Sequence, residues 1–441
     1  MRPFLHSGFQ ALRAQFSPVL RLIYLFCVAV LFSADQAQRV IGALYNMIAL
    51  RPEVWAQQVS ADSDVRKEAS KEVSDATLGV WALFCDGWRA WIARMLLLEP
   101  KMLTIKLPEL LNVHQVPRVF WEHGIMSGYR HPKSSALDCI ISSFQLTNET
   151  VNIWTHFLPT WYFLWRLLVL SHSLDFFTDA YNWPLLVYML VICIYPFTSS
   201  CAHTFSSMSP RACHICYFFD YGALSLYSLG CAFTYGAYTM PDRWVNSTLH
   251  RYFVPVAAFN SFICTGLSCY SRFLELECPQ MSKNLRMAAF VYPFIFDNIP
   301  LFYRILLCFG EDCNSNMAIS SYIYHLFCAL LTVFLFASHF PERLAPGRFD
   351  YFGHSHQLFH ICAVVGTHFQ MEAVLADMNL RQPWLTANTP LPTTFGTLGI
   401  MIIAVLGNLL LIGGFTTFLQ SFTTDLMLQS NIHEGTKEKE H

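Results

Sequence analysis

Eight apolar stretches, each long enough to cross a bilayer as a helix, follow one another through the last two thirds of this 441-residue chain. A membrane-crossing helix needs about 20 consecutive, mostly apolar residues. Helices pair every backbone group internally, which hydrocarbon demands. The stretches are residues 153–170, 184–205, 215–235, 252–270, 287–307, 322–340, 356–376 and 395–419. Short connections separate them and carry breakers such as Ser209-Pro210, Pro241-Asp242, Cys278-Pro279 and Ala345-Pro346-Gly347. Composition agrees: 54% of residues are hydrophobic and 13% charged, against about 25% charged in a soluble domain. The expected fold is an all-α, polytopic membrane helix bundle, placed as a multi-pass protein of the cell membrane.

The net charge of −2 implies no pull toward nucleic acid. The 15 cysteines are scattered through apolar stretches, as small buried hydrophobes rather than a disulfide framework. Cys308 and Cys313 flank an outer loop, where a disulfide and two free thiols are both open. Cys213-His214-Ile215-Cys216 lacks the second pair that a zinc ribbon would need.

Basic residues set the orientation. Lys101, Lys106, Arg118, Arg130 and Lys133 precede the first span. Arg211, then Arg272, Lys283 and Arg286, then Arg343 and Arg348 occupy the second, fourth and sixth loops. This side is expected to be cytoplasmic, which puts the sequon Asn246-Ser247-Thr248 outside and Asn148-Glu149-Thr150 inside. The chain divides into an amino-terminal extension (1–101), a cytoplasmic amphipathic lead-in (102–150), the transmembrane bundle (151–425) and a polar tail (426–441). Within the extension, residues 16–34 read as a signal-anchor-like helix and 57–76 as a polar linker. An extension of little function and an extra membrane-associated helix both fit it.

Three histidines carry the chemistry. His203 ends the second span, while His356 and His360 open the seventh, four residues apart and therefore on one helix face. With alternating span directions, all three come to the cytoplasmic end of the bundle, and so does Asp220 in the first turns of the third span. Three imidazoles that leave a fourth position open form the arrangement of catalytic zinc. Asp220 is placed to ligate the ion directly or, better, to hydrogen-bond a water on it. Ser199, one turn before His203, is placed to support that water or an oxyanion. His368 lies about 18 Å along the helix from His356 at 1.5 Å per residue, too far to share the ion. His368 and Glu372 are expected to pair or line a deeper cavity, and Asp297, between Pro293 and Pro300, to sit in a local polar pocket.

Several ordered motifs resemble the progestin and adipoQ receptor family over roughly residues 102–425. They are Asn148-Glu149-Thr150-Val151-Asn152-Ile153-Trp154-Thr155-His156, Ser199-x-x-x-His203, Phe219-Asp220-Tyr221, Pro341-Glu342-Arg343, Pro346-Gly347-Arg348-Phe349-Asp350 and Ser355-His356-Gln357-Leu358-Phe359-His360. Tyr129-Arg130-His131-Pro132 and the eighth span are similar to the gamma-like membrane progestin receptors within that family. The resemblance implies a seven-helix core plus an eighth C-terminal transmembrane helix. It also implies zinc on His203, His356 and His360 with Asp220 close by, binding of a progestin steroid, and signalling to a heterotrimeric G protein or related cytoplasmic partner.

Two functions follow as expectations. One is a plasma-membrane steroid receptor contacting membrane lipid and a progestin. The other is a zinc-dependent intramembrane lipid-amide hydrolase, resembling alkaline ceramidases, with Asp220 and Ser199 as its catalytic residues. A purely structural zinc tying the second and seventh helices is the third, plainer alternative.

Overall fold

The computed structural model of the protein describes residues 109–308 and 317–437. The expectations for residues 1–101 and for a Cys308–Cys313 pair lie outside the described residues. The described chain is helical apart from a single bridge between Leu111 and Tyr129.

Helices stand at all eight expected positions. A short helix α1 (Ala136–Ser142) precedes α2 (Thr150–Ser173), α3 (Trp183–Phe205), α4 (Pro210–Thr234) and α5 (Thr248–Phe273). The fifth expected span is broken into α6 (Pro279–Asp297) and α7 (Ile299–Cys308), bent by 51° at Asn298. Then come α8 (Met317–Ser338), α9 (Ser355–Asn388) and α10 (Ile400–Lys437). Neighbours in the chain pack against one another from α2 to α6, α8 packs on α6 and α9, and α9 returns to α2. Seven segments thus close a ring, and α10 lies outside it against α4 and α5.

Among the described residues, five helical segments are by length and composition apolar enough to cross a membrane, and the bent pair makes a sixth. The helices α2 and α4 are long enough but carry more polar and aromatic residues than a uniform apolar run. The polar side chains of α2 turn inward: Asn152, Thr155, His156 and Thr160 are all buried. A helix lined this way hides its polar stripe in the bundle and shows lipid the remainder. Farther along the interior, Gln370 accepts from the hydroxyls of Tyr188 (3.0 Å) and Tyr227 (2.7 Å) and donates to Tyr235 (2.6 Å). This network crosslinks α3, α4 and α9 away from water.

The lead-in before α2 braces the end of the bundle where the three histidines meet. Leu111 and Tyr129 exchange backbone bonds of 2.8 and 3.0 Å, closing a small apolar cluster of Val113, Val116, Ile125 and Tyr129. Gly128 follows with φ +86°, and a Cβ there would stand 2.8 Å from the Tyr351 ring, so only glycine fits. Arg130 is buried and donates to the main-chain oxygens of His203 and Thr204 in the last turn of α3, a cation at a helix C-terminus. Asp350 accepts from Met126 N (2.9 Å) and Ser127 Oγ (2.6 Å), tying the lead-in to the connection before α9.

That connection also fixes where α9 begins. Glu342 accepts from Ser355 N (2.7 Å) and from the Ser355 hydroxyl, so a carboxylate closes the N-terminus of α9 one residue before His356. Gln357 reaches back to Gly353 N at 2.6 Å. We expect Glu342→Ala to strand the Ser355 amide and cost on the order of 1–3 kcal/mol. A thermal unfolding series of the detergent-solubilised protein would read this as a lowered midpoint. An unchanged midpoint would show that the carboxylate does not set the start of the helix.

Candidate metal centre

His203, His356 and His360 converge, and one ring nitrogen from each lies within 4.8 Å of the other two. His203 and His360 are buried and His356 is half-buried. Helix geometry explains the convergence: α3 delivers His203 in its last turn, and α9 delivers His356 and His360 on one face of its first two turns.

The outer nitrogens are tied to protein. His203 Nδ1 lies 2.8 Å from Glu149 Oε2. Glu149 is the residue before α2, and Asn152 Nδ2 donates to the same oxygen at 2.7 Å. Burial alone would raise the Glu149 pKa. The His203 ring, the Arg130 guanidinium and the Asn152 amide outweigh this and hold the carboxyl well below the usual carboxylate range. An ionised carboxylate only accepts, so Nδ1 of His203 carries a proton and Nε2 is turned toward the other two rings. His360 Nδ1 lies 3.2 Å from the main-chain oxygen of Asn152 and 3.1 Å from Thr155 Oγ1. The Thr155 hydroxyl already donates to Val151 O, so His360 Nδ1 carries a proton too and its Nε2 also points inward.

His356 Nε2 and His203 Nε2 stand 3.2 Å apart. Two nitrogens bound at 2.0–2.1 Å to one tetrahedral ion sit about 3.3 Å apart. This spacing, together with Nδ1 tethers of the kind that orient metal-ligating imidazoles, suits a shared divalent cation.

Asp220, on α4, is buried and lies outside the three-nitrogen cluster. Ser199 is its polar neighbour on α3, while its Oδ1 has no protein partner. The structure brings His203, His356 and His360 together as a cluster, and Asp220 lies outside it within electrostatic reach of His203.

Other expectations resolve differently. His368 Nδ1 meets Tyr162 Oη at 2.7 Å, and Glu372 pairs with Arg166 at 2.8 Å. His368 and Glu372 each reach across to α2 rather than to one another. Asp297 accepts from the Ser228 hydroxyl where α6 ends, with Oδ1 unpartnered. Cys213 and Cys216 are free thiols. The residues that sequence reasoning passed over are Glu149, Asn152, Thr155 and His156. They stood in view as one face of α2, at spacings of three and four, but were read as a motif rather than as support for the histidines.

Residues 144–371 match the model of the haemolysin-III-related family. A membrane progestin receptor delta from Homo sapiens is 67% identical over 337 residues, covering 76% of this chain and 98% of the relative. A membrane progestin receptor gamma-B from Danio rerio is 57% identical over 316 residues, covering 68% and 91%. A more distant membrane progestin receptor alpha, from Cynoscion nebulosus, is 32% identical over 279 residues, covering 63% and 79%. On this similarity the chain belongs to the haemolysin-III-related family, on the branch of the progestin and adipoQ receptors.

Proposed function

We propose that this protein is a multi-pass membrane receptor for progestin steroids, with zinc held by His203, His356 and His360. The observation that carries the zinc reading is the convergence of three ring nitrogens, with His203 held on its far side by Glu149 and His360 by Asn152 and Thr155. The steroid reading rests on relatives named membrane progestin receptors. A bound zinc supplies a Lewis acid and a crosslink between α3 and α9. The chain's own residues orient the imidazoles and bury His203 and His360. Signalling passes to a cytoplasmic partner, a heterotrimeric G protein on the family resemblance. Seven spans and an eighth are proposed, with α2 and α4 crossing as polar-lined members of the ring.

We expect His356→Ala combined with His360→Ala to lose zinc from the purified protein, measured by elemental mass spectrometry. Parent-like zinc in that variant would refute the ligand set. Labelled progesterone should bind the parent protein in lipid vesicles saturably and resist a non-progestin competitor. Absence of saturable binding would overturn the receptor reading.

The proposed orientation puts Asn246 outside. Its side chain donates to Asn388 O, the far end of the helix that begins beside His356. At 1.5 Å per residue, α9 is about 50 Å long, so Asn246 and the histidines lie at opposite ends. Asn148, by contrast, is buried. A glycosidase-sensitive mobility shift should vanish in Asn246→Gln, and a shift that depended on Asn148 instead would invert the topology.

A second reading, hydrolysis of a lipid amide, is favoured by one observation: Asp220 stands beside the cluster with a free carboxylate oxygen and Ser199 on the other. Asp220 would take a proton from the attacking water and return it to the leaving amine as the C–N bond breaks. Asp220→Asn should retain zinc and lower lipid-amide turnover by about 10²-fold or more. Equal turnover in variant and parent would remove this reading.

A further inference from the structure

A fourth buried imidazole stands beside the three-histidine cluster and is treated unlike the others. His156 is one turn beyond Asn152 on α2. It stacks on His360 with ring centroids 3.7 Å apart and planes 12° apart. The Tyr195 ring meets it edge-on at 5.9 Å. His156 is 3% exposed, yet neither Nδ1 nor Nε2 has a hydrogen-bond partner. The ring faces the main-chain oxygen of His360 without reaching hydrogen-bonding geometry.

A neutral imidazole carries one donor and one acceptor, and burying them unpaired is costly. Phenylalanine would stack on His360 equally well without that cost, so packing alone does not account for a histidine here. Asn152 Oδ1, Asp220 Oδ1 and His354 Nε2 are also buried without partners. The two oxygens are acceptors and offer a carbonyl oxygen nothing, whereas an imidazole N–H donates to it.

We propose that His156 is a ligand-binding residue whose ring N–H donates to the carbonyl oxygen of a ketosteroid seated beside the three-histidine cluster. This deepens the receptor reading and rests on it. The ring's stack on His360 and its contact with Tyr195 fix the direction of the N–H, so the ketone is recognised by geometry as well as polarity. A steroid without a ketone gains nothing from His156.

The test uses the full-length protein purified into lipid vesicles, as parent, His156→Phe and His156→Gln. The first variant keeps an aromatic stack and removes both nitrogens; the second keeps a donor. Each is titrated with labelled progesterone and with a pregnane whose ketones are reduced to methylenes, and zinc content is measured on the same samples. His156→Phe should weaken progesterone binding about tenfold or more and leave the ketone-free steroid within about twofold. His156→Gln should fall between parent and His156→Phe, with zinc content equal in all three. Should His156→Phe fail to fold, the same comparison is made with His156→Leu, which also lacks a donor, and a parent-like progesterone affinity there would overturn the proposal. Equal progesterone affinity in parent and His156→Phe would also overturn it, assigning the free nitrogens to water. An equal loss for both steroids, or a loss of zinc, would overturn it in favour of a prop for His360. A parent that binds no progesterone saturably refutes the receptor reading itself, and the ketosteroid assignment with it.

Discussion

The carboxylate of Glu149 is the point on which the cluster turns. It sits just ahead of α2, accepts from the His203 ring of α3, and shares an oxygen with the Asn152 amide one turn farther on. Without it, the buried His203 ring would have no fixed tautomer and no fixed rotation. Removing one partner of a buried charged pair costs about 3–5 kcal/mol, because the other is left uncompensated. Arg130 adds a second lock from the other direction, holding the same turn of α3 by its main-chain oxygens. Side chain and backbone of His203 are thus each held by a charged group contributed from before α2.

The same logic places the other two histidines. The start of α9 is set by Glu342, and the connection carrying Glu342 is held to the lead-in through Asp350. His360 is then pinned to α2 by the Asn152 carbonyl. Three helices that contribute no continuous sequence meet at one point because a segment outside the ring ties their ends. The motifs around Glu342 and Asp350, which carry no ligand, are in this light the framework of the cluster: a carboxylate at a helix N-terminus and another spanning two loops.

Much of the fold was legible as hydrophobic length. Eight runs of apolar residues stand where helices stand, and the histidine pair at spacing four marks the start of α9. What hydropathy could not read is of two kinds. The break at Asn298 falls just before Pro300, whose ring nitrogen has no hydrogen to donate to the turn behind it, and a length count passes over this. The polar lining of α2 lowers its apparent hydropathy because burial inside the bundle, rather than lipid, decides which of its residues can be polar. The support of the metal ligands was hidden for a related reason. Glu149, Asn152 and Thr155 act on His203 and His360, which lie tens to hundreds of residues away, and no local period reports such a partner.

Receptor and hydrolase readings ask for different things from one chamber, and the unpartnered atoms weigh between them. Hydrolysis needs a base near water, a role that the unpartnered Asp220 Oδ1 would fill under the second proposal, and a donor for the oxyanion. Recognition of a ketone needs a donor alone. His156 is a buried donor that no protein group uses, and it lies on the α2 side of the cluster, stacked on His360. Asp220 lies on α4, with Ser199 of α3 as its polar neighbour. A carbonyl held by His156 is therefore gripped from one wall while the base stands on another. An amide would present its carbonyl to the first and its scissile bond toward the second. A steroid ketone, having no leaving group, would be held by the same imidazole and go no further. Under both proposals, one arrangement of donors and acceptors would serve binding in every case and chemistry only when the ligand carries a bond that water can break.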